Sequence, residues 1–308
     1  MYRGKSPHVR SISTVAIAAL LLGACEAEQA ATNEAEKAAA RANVDAMSRE
    51  HASDSTEPSP AAEVAPVRPV VSQTMAYTEY RDELVYGYFS APADMFEPLP
   101  AVIMIHEWWG LNDNVRAMAD RLAAEGYIVF AVDLYTGEVA QTPDEARILM
   151  TQAVEDPDSA SDNIRAAYDF VKTTASAPRI GSLGWCFGGG WSLNTARLFP
   201  DDLDASVIYY GQVTADEEIL RPINTPILGL FAAEDTGIKV ASVEAFRDAL
   251  ERLRKNYEVH IYPGVGHAFA NPTGRNYDAA AAEDAWSKTL KFLDRHLAVN
   301  ESAAGSAN

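Results

Sequence analysis

Apolar residues fall in two rhythms along this chain. Ala101 to His106, Ile128 to Val132, Ile180 to Trp185, Ala205 to Tyr210 and Pro226 to Phe231 are short runs, apolar at nearly every position. Such runs, without alternation, suit strands buried on both faces. Glu258 to Tyr262 is a further strand. Between the runs, apolar positions recur at helical spacing. Asn114 to Glu125 puts Val115, Met118, Ala119 and Leu122 on one face, and helices are predicted over 143–154, 159–174, 188–199, 242–255 and 277–297. Thr78 to Tyr80 and Leu84 to Ser90 read as a hairpin around Asp82 and Glu83. Strands alternating with helices predict an α/β fold: a doubly wound, mostly parallel sheet with helices on both faces and no large lid, over residues 72–299.

The rhythm is absent at both ends. Residues 1–24 carry Arg3, Lys5 and Arg10, then an apolar stretch from Ile12 to Leu22, which is the layout of a secretory signal peptide. The stretch is short for a membrane span. It ends Leu22-Gly23-Ala24-Cys25, which resembles a bacterial lipobox. That resemblance implies lipidation of Cys25, and an exported protein on the periplasmic or cell-envelope face, held to membrane only through a lipid anchor. Residues 25–71 are rich in Ala, Glu, Ser and Pro and poor in aromatics. They read as a disordered tether, with transient helix over 34–49 and no functional residues expected. Residues 300–308 read as a polar tail.

Charge narrows the partners. A net charge of −19 over 308 residues argues against nucleic acid. The two cysteines, Cys25 and Cys186, sit in separate motifs, and no Cys/His spacing suggests zinc. No metal or other cofactor is expected, and the chain is expected to act as a monomer.

Chemistry gathers where the strands end. In parallel sheets of this kind, sites form beyond the carboxyl ends of the strands. There the chain has His106-Glu107-Trp108-Trp109-Gly110, Gly184-Trp185-Cys186-Phe187-Gly188-Gly189, Glu234-Asp235 and Gly266-His267-Ala268-Phe269. The second is a Gly-x-nucleophile-x-Gly turn between strand and helix, with cysteine in the reactive position. His267 follows in a glycine-rich loop, suited to act as general base, and either Asp235 or Glu234 is placed to orient it. His260 and His296 read as structural, and His106 as loop scaffolding.

These motifs, together with Asp133-Leu134-Tyr135, resemble the dienelactone hydrolase family of α/β-hydrolases. The resemblance covers nearly the whole globular domain. It implies a hydrolase for a small ester or lactone, with a Cys186–His267–Asp235 triad and a thioester acyl-enzyme. It implies that Glu107 helps ionise the thiol when substrate is bound. It assigns the oxyanion hole to the backbone N–H groups of Phe187 and Trp108, and pocket walls to Tyr135, Trp109 and Phe269. One departure bears on substrate. The founding enzymes grip a substrate carboxylate with arginines after the Asp-Leu-Tyr segment and after the histidine. Here those positions read Thr136-Gly137-Glu138 and Ala268-Phe269-Ala270-Asn271, with Arg275 the nearest substitute. A neutral ester or lactone is therefore expected. An acyltransferase, a peptidase and a non-catalytic binding module are the alternatives.

Overall fold

The computed structural model describes residues 37–38, 41–52 and 65–299. Cys25, the signal-peptide stretch and the polar tail lie outside the described residues. The chain divides into two compact units, Met1–Ala42 and Asn43–Asn308. Of the first, residues 37, 38, 41 and 42 are described, all helical.

The second unit is built on an eight-stranded sheet. Its strands are β1 (Val70–Tyr80), β2 (Glu83–Pro92), β3 (Ala101–Ile105), β4 (Ile128–Val132), β5 (Ile180–Trp185), β6 (Ala205–Tyr209), β7 (Ile227–Ala232) and β8 (Tyr257–Tyr262). They lie in the order β1-β2-β4-β3-β5-β6-β7-β8. The β1–β2 hairpin is antiparallel and pairs antiparallel with β4, while every pairing from β4 to β8 is parallel. The fully apolar runs are the central strands, and every residue of β3, β4, β5, β6 and β7 is buried. The edge strand β8 is only half-buried throughout.

Helix α1 covers residues 43–50. The others are α2 (Asp113–Ala123), α3 (Pro143–Glu155), α4 (Pro157–Asp169), α5 (Phe187–Leu198), α6 (Glu217–Leu220), α7 (Val240–Arg252) and α8 (Ala279–Leu297). Side-chain caps set where several begin: Asn112 accepts from the Val115 N–H, Thr142 from Glu145 and Asp278 from Ala281. The helix expected over 159–174 is split. It starts earlier, capped by Asp156, and its end widens into a π-helical turn, Phe170–Thr174.

The tether reading fails over one stretch. Residues 43–50 are helical, and Val44, Met47 and His51 are buried to 2% exposure or less. Composition averages over a segment, whereas burial needs only a few apolar side chains on one face. The spacing i, i+3, i+7 puts these three on one face of a helix. Met47 and His51 pack against Cys186 at the end of β5.

Candidate active site

The predicted motifs meet at one end of the sheet. Strand β5 delivers Cys186 to a turn that ends the strand and starts α5. Cys186 has φ +54° and ψ −115°, a strained conformation for a side-chain-bearing residue, costing on the order of 1–3 kcal/mol. The turn is held on both sides. The Cys186 N–H donates to the Tyr209 carbonyl at 3.0 Å, and the Gly190 N–H to the Cys186 carbonyl at 3.2 Å. Space around it exists only because of glycine. A Cβ on Gly184 would sit 2.1 Å from the Gly188 carbonyl oxygen, and one on Gly188 would sit 2.2 Å from that of Ile105. Behind the turn, the hydroxyls of Ser182, Ser192 and Ser206 bond one another and tie β5, α5 and β6 together.

Asp235, rather than Glu234, reaches the histidine. Its Oδ2 lies 2.6 Å from His267 Nδ1, while Oδ1 accepts the N–H groups of Gly237 at 2.9 Å and Ile238 at 2.7 Å. Glu234 is exposed. With Nδ1 committed to Asp235, the buried Nε2 of His267 has no hydrogen-bond partner, and a ring nitrogen of His267 lies within 4.8 Å of the Cys186 sulfur. Burial acts to raise the Cys186 pKa, but His267 and then His51 outweigh it, bringing the thiol down to about 6. For His267, burial opposes protonation, but the Cys186 charge and the Asp235 carboxylate raise its pKa well above the usual histidine value. The pair therefore favours thiolate and imidazolium. Thiolate absorbance, read as the difference between the protein and Cys186→Ser, should disappear as pH falls through about 6. A midpoint near that of a free thiol would contradict this pairing.

Glu107 is buried, and Asn271 Nδ2 donates to its Oε2 at 2.6 Å. The Tyr210 hydroxyl donates to Oε1 at 3.4 Å. Neither partner is among the site residues expected from the sequence. Tyr210 follows the last residue of β6, so the strand-end rule points to it. Asn271 is a loop residue after His267, and only the loop's path brings it to Glu107. His106 is scaffolding as expected: Nε2 accepts the Leu134 N–H at 3.1 Å, so Nδ1 carries the proton and donates to the Glu107 carbonyl at 2.6 Å. Burial lowers its pKa, against the pull of Asp133.

Aromatic rings wall the site. Trp108 packs on Trp109 with centroids 4.9 Å apart, and Tyr135 on Phe187 at 5.6 Å. Phe269 packs on Tyr210 at 5.4 Å and on Tyr262 at 4.9 Å. The indole N–H groups of Trp108 and Trp109 and the Tyr135 hydroxyl are buried without hydrogen-bond partners. Arg275 is exposed, so it does not stand in for the missing arginines.

The unexpected neighbours of the thiol come from α1 and the residue after it. Met47 Sδ is 3.6 Å from Cys186 Sγ, and His51 Nε2 is 3.9 Å away. His51 stacks on Trp108 with centroids 4.8 Å apart. Ligand atoms of His51, Cys186 and His267 all lie within 4.8 Å of one another. Two imidazoles and a thiolate are the donors a soft ion such as Zn²⁺ prefers, although two of the three are already engaged with one another and with Asp235.

A mostly parallel sheet with a strained, glycine-fenced cysteine turn between strand and helix at its strand ends is the layout of an α/β-hydrolase. Residues 85–297 match the dienelactone hydrolase family, and the chain belongs to it. Among curated relatives, Protein usf of Aquifex pyrophilus is 37% identical over 205 residues, covering 64% of this chain and 89% of the relative. A "Putative carboxymethylenebutenolidase" of Saccharolobus solfataricus is 34% identical over 235 residues, covering 64% and 90%. Among solved structures, a dienelactone hydrolase from Anabaena variabilis aligns with a TM-score of 0.58 at 17% identity, covering 74% of this chain and 99% of that one. It speaks to fold alone. The protein is an ester or lactone hydrolase of the dienelactone hydrolase type.

Proposed function

We propose that this hydrolase acts on a small, neutral ester or lactone through Cys186, His267 and Asp235. The observation that carries this reading is the position of His267, with Nδ1 bound by Asp235 at 2.6 Å and a ring nitrogen within 4.8 Å of the Cys186 sulfur. The Cys186 thiolate attacks the carbonyl carbon, and the carbonyl oxygen takes up the negative charge. The N–H of Phe187 opens helix α5 and has no acceptor within the helix, so it suits that oxyanion, with the Trp108 N–H as second donor. Collapse of the intermediate breaks the C–O bond. The imidazolium of His267 gives its proton to the departing alkoxide, which stays attached if the substrate is a lactone. A water then loses a proton to His267 and attacks the thioester, and the thiolate is released. Asp235 holds the ring in the required tautomer and stabilises the imidazolium throughout.

Neutrality of the substrate follows from the charges present. Glu107 is already buried beside the site, with Asn271 donating to one of its oxygens and Tyr210 to the other. A second carboxylate there would meet repulsion, and Arg275, the nearest arginine after His267, is exposed.

Two measurements check this. A slowly deacylating p-nitrophenyl ester should leave a thioester mass increment on the Cys186 peptide, and among lactones the uncharged ones should turn over faster than those bearing a carboxylate. An adduct on another residue would end the mechanism, and a preference for carboxylates would end the substrate assignment. Asp235→Asn should lower kcat by about 10³-fold or more, while Glu234→Gln stays near wild type; the reverse order would move the acid to Glu234.

A further inference from the structure

We propose that residues 43–51 are an intramolecular plug that holds the hydrolase closed at its nucleophile. The inference rests on Cys186 being the reactive thiol, and begins from a conflict of space. Attack on a carbonyl needs the reacting carbon within roughly 3–3.5 Å of sulfur. That position is taken, because Met47 Sδ already lies 3.6 Å from Sγ. The Cys186 side is as closed as the Met47 side: Cys186 is 2% exposed, His267 0% and Met47 1%. A surface cleft lined by Glu107, Asn114, Val115, Met118, Trp185 and Asn271 opens beside the site, and Cys186 is not among its walls.

The segment fits its seat by shape and by hydrogen bonding. Gly237, two residues past Asp235, leaves the room Met47 uses: a Cβ there would sit 2.1 Å from Met47 Cε. Glu50 Oε1 accepts the N–H of Thr236 at 3.2 Å, on the same loop. His51 lies between the Trp108 ring, 4.8 Å away and stacked, and the His267 ring, 5.2 Å away and edge-on. Contacts therefore run to the nucleophile, the histidine, the acid loop and the oxyanion loop together. None of the plug residues belongs to the triad. The opposite face of the helix, with Asp45 and Arg49, is exposed, while Met47 and His51 lie against the thiol. Turnover then requires the segment to leave, and the active fraction is set by an equilibrium between seated and displaced states.

The test uses the full chain at a pH well above that of the thiol, with iodoacetamide as probe and alkylation of the Cys186 peptide followed by mass spectrometry. Val44→Asp/Met47→Asp should alkylate about tenfold faster than wild type or more, as expected when a rarely open state becomes the common one. Its kcat/KM for p-nitrophenyl acetate should rise in parallel. Met47→Leu, which conserves volume and apolarity, should stay near wild type. Wild-type alkylation rates in a double variant with unchanged circular dichroism would overturn the plug. Alkylation reads access to the thiol whether or not an ester is cleaved, so failure of the hydrolase reading is seen separately. Should the double variant not fold, amide exchange on wild-type protein decides: carbamidomethylation of Cys186 should unseat residues 43–51 and raise their exchange. Unchanged protection there would equally overturn the proposal.

Discussion

Cys186→Ala is expected to lower ester hydrolysis by about 10⁴-fold or more, with the far-ultraviolet circular dichroism unchanged. The size follows from what the thiol does. In the proposed mechanism His267 and Asp235 act through this thiol, so their contributions vanish with the sulfur rather than adding to what remains. What is left is the residual acceleration from the oxyanion donors and from binding. Stability should change little, because alanine keeps the Cβ that strains the turn at φ +54° and loses only one buried atom. The measurement is best made in the Val44→Asp/Met47→Asp background as well. If the plug limits the wild-type rate, the full loss is visible only with the site open. Retention of more than a hundredth of the activity would mean that Cys186 is not the nucleophile.

The second large effect is on folding. Gly188→Ala should destabilise the domain by about 3 kcal/mol or more, lowering Tm by about 10 °C. The added Cβ would lie 2.2 Å from the Ile105 carbonyl oxygen and 2.5 Å from that of His106. Both are backbone atoms at the end of the central strand β3, so the clash cannot be relieved by a side-chain rotation. Either α5 moves off the sheet, taking the Phe187 N–H with it, or β3 gives way. Gly190→Ala, two residues further along, is the control. Its Cβ would meet nothing closer than 3.6 Å, and alanine is the better helix former by roughly 0.5–1 kcal/mol. A neutral or slightly raised Tm at Gly190, against a large loss at Gly188, separates steric clash from helix propensity by thermal unfolding alone. Equal effects at the two positions would refute the argument.

Much of the site was legible because the fold is repetitive. A buried parallel strand must be apolar throughout, so the runs ending at Ile105, Trp185 and Ala232 announce themselves. The rule that sites lie past strand carboxyl ends then selects His106 to Gly110, Cys186, the pair Glu234-Asp235 and His267. Glycines at 184 and 188 mark the turn because side chains there have no room. Other features had no local signal. Choosing Asp235 over Glu234 needs the direction in which the loop after β7 turns, which leaves Glu234 exposed. Asn271 is an ordinary loop residue until it lies 2.6 Å from Glu107. Residues 43–51 look like a solvated, charged stretch, and their apolar positions are too few to stand out from an Ala- and Glu-rich background.

By itself, then, the sequence determined the sheet, the strained cysteine turn, the histidine loop and the family chemistry. Each of these depends on neighbours close along the chain: periodicity, turn residues, and the short step from strand to loop. The tertiary structure decided which carboxylate holds His267, what holds Glu107, and that Met47 and His51 lie against the thiol. These contacts join residues 32, 164, 139 and 135 positions apart. Their energy comes from shape and burial at a surface that exists only after the sheet has formed, so no local pattern in the chain encodes them.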